Sequence, residues 1–211
     1  MNQKNVKGKV ISLYLVLFFL SITKVYAAPE TQDLKSYVEN LLDQSNKMFH
    51  DTKLSAQERH KKTNSLIRSH LYLQWMAEHS LGRFKRGIPQ TKIDKFVNVY
   101  SKFIVKAYSD LADHYNGERA VFTGMKKLDT DLYIVNTEIV KPGTESPIKV
   151  DYLVHKLNNP KTPYLVGDII TEGISILNSQ QSEFNNILAT RGIDGLISDL
   201  QKKINSGNAH T

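Results

Sequence analysis

The chain has 211 residues, a formal net charge of +7 and no cysteine. That length suits one domain, or at most two. Without cysteine there is no disulfide framework, no thiolate centre and no lipidated cysteine anchor, so an apolar core must hold the fold unaided. The first element read along the chain is a basic start, Lys4, Lys7 and Lys9, followed by an apolar run from Val10 to Ile22. Val25-Tyr26-Ala27 then offers small residues where a signal peptidase reads them, the layout of a secretory signal peptide cleaved after Ala27. The apolar run is short of the ~20 residues that span a bilayer. Losing residues 1–27 removes four lysines and no acid, which lowers the net charge to +3. A basic excess that would suggest nucleic acid therefore belongs largely to the signal. The expected mature chain, residues 28–211, is a single mildly basic domain large enough to bury a core.

Leu34, Val38, Leu41, Leu42, Ser45 and Phe49 recur at spacings of three and four, which predicts a helix over Asp33 to Phe49. Ser55-Ala56-Gln57-Glu58 is a capping box that opens a second helix. Its start, Arg59 to Asn64, is polar; its continuation, from Leu66 to Met76, is apolar all round, and the segment is expected to run to Gly82. Leu81 to Gly87 follows as a basic turn with one aromatic. Those cations either decorate a helix C-terminus or contact anionic headgroups or an acidic partner. Pro89 opens the clearest helix. Ile93, Phe96, Val97, Tyr100, Phe103, Ile104, Ala107, Tyr108, Leu111 and Tyr115 form one stripe along it, and Asn116-Gly117 is the stop.

Beyond Gly117 the period changes to two. Arg119–Leu128, Asp131–Val140, Pro147–Leu157 and Tyr164–Ile170 read as four strands of an antiparallel meander. Thr171-Glu172-Gly173 is a turn, an amphipathic helix follows, Gly192 breaks it, and Asp194 opens a last helix. The tail from Asn205 to Thr211 is expected to fray. The class is α+β, a four-stranded antiparallel sheet covered by long helices.

A reaction is hard to find in these residues. The seven histidines show no metal-ligand spacing, so no metal and no cofactor are expected. No nucleophile elbow, phosphate loop or dinucleotide fingerprint occurs. Glu172 reads as an acid favoured by the N-terminus of the following helix. There is instead a surplus of apolar and aromatic side chains on two facing surfaces. The Pro89–Tyr115 helix with the Leu66–Met76 segment makes one; Val150, Tyr152, Val154 and Ile169 mark the other. Such surfaces either close into a core or leave a cavity for an apolar ligand.

The stretch Tyr164 to Leu200 carries a resemblance. Asp168, Ile170-Thr171-Glu172-Gly173-Ile174-Ser175, Ser182-Glu183-Phe184 and Arg191-Gly192-Ile193-Asp194-Gly195-Leu196 resemble the MlaC family, and Leu81-Gly82-Arg83-Phe84 is similar to that family's motif between helices. This family is the periplasmic phospholipid-binding component of the Mla lipid-transport system, also known as toluene-tolerance auxiliary proteins. The chain departs from it at Tyr164, where tryptophan is usual, at Gly167, where tyrosine is usual, and at Lys85, where an aromatic is common.

The resemblance implies a phospholipid carrier rather than an enzyme. Such a carrier would exchange lipid between an inner-membrane ABC transporter complex and an outer-membrane lipoprotein–porin complex, and so maintain outer-membrane lipid asymmetry. It would be a monomer with no nucleic acid among its partners. Its apolar cavity would be walled on the helix side by Leu71, Trp75, Phe96, Tyr100, Phe103, Ile104 and Tyr108. On the sheet side the walls would be Val135, Val150, Tyr152, Val154 and Ile169, with Ile174 just beyond. Arg83, Lys85 and Arg86 would contact a partner or a headgroup. The readings set against it are a closed-core envelope adaptor and an enzyme using the same cavity, for which Glu172, Asp151 and His155 are the candidate acids and bases.

Overall fold

The computed structural model describes residues 29–112, 114–143 and 146–206. The expected signal peptide of residues 1–27 and the end of the tail lie outside them. Among the described residues no helix is long and apolar enough to cross a membrane.

Among the described residues, four α-helices and a 3₁₀ turn precede the sheet and one long helical element follows it. α1 spans Pro29–His50 and α2 Ala56–His70. Ser55 caps α2, with its hydroxyl taking the Glu58 N–H while the Glu58 carboxylate takes the Ser55 N–H. α2 does not continue to Gly82. Leu71 and Tyr72 leave the helical region, and α3 restarts at Leu73–Ser80. The cause is tertiary: Leu71 forms a parallel bridge with Val166, and the Tyr72 N–H donates to the Val166 carbonyl at 2.7 Å. A sheet edge otherwise left with unpaired groups is satisfied this way. The basic turn is a 3₁₀ helix, Gly82–Gly87, and α4 spans Gln90–Ala112.

The sheet is antiparallel, in the order β1 (Arg119–Asp129), β2 (Leu132–Val140), β3 (Ile148–Lys156), β4 (Tyr164–Thr171), β5 (Ile174–Ser175). The four expected strands are present, and β5 is added to them. Glu172 and Gly173 both have positive φ, 50° and 81°, so they form a two-residue hairpin turn that folds Ile174–Ser175 back onto Ile170–Thr171. α5, Ile176–Asn205, is two helical segments joined at Gly192, whose φ of 64° and ψ of −172° are not helical.

Glu172 is not the acid at the start of α5. Its carboxylate instead accepts the Lys149 N–H at 2.5 Å, tying the hairpin to β3. Asp168 takes that place: buried, it accepts the Leu177 N–H at 3.0 Å, the Ser175 hydroxyl at 2.6 Å and its neighbour's N–H at Ile169. A carboxylate at a helix start satisfies donors that the helix leaves orphaned.

Two apolar clusters result. The larger joins α3, α4 and α5, with Met76, Leu81, Phe96, Tyr100, Phe103, Ile104, Leu177, Phe184, Leu188, Leu196 and Leu200 all nearly inaccessible. The smaller joins α1 to one face of the sheet through Leu34, Val38, Tyr133, Val135, Val154 and Tyr164. α1 is fixed to the sheet edge by Asn46, whose side-chain amide donates to the Ala120 carbonyl at 2.9 Å and accepts the Ala120 N–H at 3.1 Å, as a neighbouring strand would.

Candidate functional site

Between α1, α2, the end of α4 and the sheet face lies a cavity of about 590 Å³. α1 contributes Tyr37, Val38, Leu41, Leu42, Ser45 and Phe49; α2 contributes Thr63, Leu66, Ile67 and His70. The sheet side presents Val135, Thr137, Ile139, Ile148, Tyr152, Val154 and Tyr164. β2 and β3 put these residues on one face because Thr137 pairs with Val150, Val135 with Tyr152 and Tyr133 with Val154. Residues directly opposite in an antiparallel pair share a face.

The lining is predominantly apolar, with polar groups at its two ends. At one end the Tyr37 hydroxyl donates to or accepts from His70 Nδ1 at 2.6 Å and lies 3.3 Å from the Tyr164 carbonyl. Burial pushes the Tyr37 hydroxyl up and the His70 imidazole down, so both are held neutral. At the other end are His114, Tyr115 and Glu118. The Glu118 carboxyl is held below the usual range chiefly by the Asn116 N–H, 2.6 Å away. Deeper in the fold, burial raises the Tyr108 and Tyr152 hydroxyls.

The structure sorts the expected wall residues into groups. Leu71, Tyr108, Val135, Tyr152 and Val154 line the cavity. Phe96, Tyr100, Phe103 and Ile104 face α5 rather than the cavity and form the closed core, where the Tyr100 hydroxyl donates to Gln180 Oε1 at 2.6 Å. A helical stripe tells which face is apolar but not which neighbour covers it, and α5 covers this one. Val150 and Ile169 are buried in the sheet beside the lining. Trp75 packs away from it, with ring centroids 4.5 Å from both His79 and His155. Ile174 is 65% exposed on the added strand.

Neither Arg83, Lys85 nor Arg86 lines the cavity. Lys85 pairs with Glu78 at 2.6 Å, and Arg83 lies over the Phe84 ring. Glu172, Asp151 and His155 do not face it either; Asp151 accepts from Asn136 at 2.7 Å. The wall that sequence reasoning missed is α1. Its apolar face was visible in the spacing, yet nothing local distinguishes a helix that closes a core from one that roofs a cavity.

Known proteins resemble this chain in sequence or in fold. The binding protein MlaC of an intermembrane phospholipid transport system in Haemophilus influenzae is 22% identical over 131 residues, 62% of this chain and 61% of that protein. The match thus spans less than two thirds of that relative's length. The phospholipid-binding protein from Ralstonia solanacearum, solved in complex with a phospholipid, superposes with a TM-score of 0.64 at 15% identity, over 85% of this chain and 99% of that one. At that identity the likeness speaks for the fold. The MlaC protein family model matches residues 35–202, nearly the whole described chain, and this protein therefore belongs to the MlaC family.

Proposed function

We propose that this protein is a phospholipid carrier of the bacterial periplasm, holding acyl chains in the cavity between α1, α2 and the sheet. The observation that carries this reading is the apolar cavity of about 590 Å³ lying beside a core that is already complete. Its size falls in the ~300–1,000 Å³ range of ligand sites. Burying one CH₂ is worth ~0.8 kcal/mol, so an acyl chain of about fifteen contributes on the order of 12 kcal/mol. Release into water would then be very slow, and unloading requires an apolar path offered by a docked partner. Membrane complexes at either side of the periplasm are such partners, an ABC transporter at the inner membrane and a lipoprotein–porin assembly at the outer.

Native mass spectrometry of protein purified without added lipid tests the proposal. Co-purified phospholipid is the expected result; a protein that stays empty when offered phospholipid vesicles would overturn it. The 3₁₀ turn is the docking surface we assign. Arg83→Glu with Arg86→Glu is expected to slow transfer between reconstituted membrane complexes while lipid stays bound, and unchanged transfer would remove the turn from that role.

A further inference from the structure

A second cleft, of about 380 Å³, adjoins the apolar cavity. The two share the rings of Phe49 and Tyr115, which stack with centroids 5.1 Å apart. Beyond those rings the lining changes character. Arg59, His50, Thr52, Asp51 and Asn116 replace the leucines and valines. Arg59 reaches from α2 to the end of α1, where its Nη1 donates to the Phe49 carbonyl at 2.6 Å. That bond anchors the guanidinium and uses one of its five N–H donors. His50 Nδ1 lies 2.8 Å from the Asn46 carbonyl, and the Tyr115 hydroxyl lies 3.1 Å from the same ring, which fixes the edge that the two clefts share.

We infer that this cleft is the headgroup subsite: it receives the phosphodiester of the lipid whose chains fill the apolar cavity, with Arg59 as the phosphate ligand. The inference rests on the carrier reading and adds to it where the polar end of the ligand lies. An amphiphile needs an apolar and a polar compartment in contact, and the shared Phe49–Tyr115 wall supplies that junction. A guanidinium fork matches phosphate oxygens better than a point charge does. Asp51 also lines the cleft, and its Oδ1 accepts the Lys53 N–H at 2.9 Å. Glu118 stands at the same junction, its carboxylate accepting the Asn116 N–H at 2.6 Å and pairing with Lys141 at 3.4 Å. With the Asp51 and Glu118 carboxylates this near, the site suits a phosphodiester with a single negative charge better than a doubly charged phosphate monoester.

The test offers lipid-free protein either phosphatidylethanolamine or diacylglycerol with the same chains, and counts bound lipid by native mass spectrometry. Wild type is expected to favour the phospholipid about tenfold, the worth of a charge-assisted contact. Arg59→Gln is expected to abolish the preference, and Arg59→Lys to keep part of it. Equal uptake of both lipids by wild type overturns the headgroup subsite while the carrier reading stands; uptake of neither sinks the carrier reading itself. A preference indifferent to the side chain at position 59 also overturns the subsite. This comparison holds even where a variant folds poorly, because the wild-type preference is read without one. Inorganic phosphate is expected to displace little lipid. Phosphate binding that depends on Arg59 while lipid preference does not would assign the cleft to free phosphate instead.

Discussion

A Cβ placed on Gly167 would meet the His155 ring at 2.6 Å and the Trp75 ring at 2.9 Å. Gly167 is also the residue left unpaired where the β3–β4 register passes from Leu153–Asp168 to Val154–Val166. The side chain absent here has its place taken by two rings from elsewhere in the chain. Gly167→Ala should therefore cost about 1–3 kcal/mol through overpacking, measured by denaturant unfolding. Adding Trp75→Leu should recover part of that loss, and strict additivity of the two would contradict the account. Burial also lowers the His155 imidazole, with His79 beside it adding to the effect, and burial alone lowers His70. Above the ordinary value of 6.5 these rings are neutral in folded and unfolded chains alike. Below it the unfolded chain takes up protons that the folded chain refuses, so stability falls with pH until the lower folded values are passed. Unfolding measured from pH 8 to 5 should show that decline, and His70→Gln with His155→Gln should flatten it. None of this was legible locally. Gly167 stood out as a departure from the family pattern, but its reason lies in rings that only the fold brings to it.

At the scale of elements, sequence pattern was informative where the signal is local. The capping box at Ser55, the helix after Pro89, the meander and the break at Gly192 all follow from neighbours within a turn or a strand. The reading failed where a distant partner decides. No glycine or proline marks the stop at Leu71, because the edge of β4 ends that helix. The α4 stripe likewise changes partner along its length, facing α5 at Phe96 and Tyr100 and the cavity at Tyr108. The kink in α5 supports a sharp prediction. Gly192 sits in a backbone region that is nearly reserved to glycine, and a Cβ there would meet no neighbour within 4 Å. Gly192→Ala should thus cost about 1–3 kcal/mol from backbone strain alone. A loss well below 1 kcal/mol in chemical denaturation would mean that the kink relaxes freely.

For the molecule as a whole, the division between closed core and cavity predicts two separable phenotypes. Tyr100→Phe removes the hydroxyl that donates to buried Gln180, leaving an acceptor unpaired at a cost of about 1–3 kcal/mol. Its lipid uptake should not change. Ser45→Trp, on the half-buried cavity side of α1, should do the reverse, reducing bound lipid several-fold while shifting stability by less than about 1 kcal/mol. Thermal unfolding and native mass spectrometry on the same samples would separate the two, and a shared loss in both variants would unite what the structure keeps apart.

That separation bears on how such a protein diversifies. The core of α3, α4 and α5 is sealed by its own residues, and the cavity is roofed by α1 through contacts the core does not share. Substitutions in the roof can therefore accumulate without eroding the scaffold that keeps the chain folded. A lineage meeting membranes of different chain length could resize the chamber one side chain at a time, each intermediate remaining a viable protein. The Ralstonia solanacearum protein retains the fold at 15% identity, a degree of drift that such a partition accommodates.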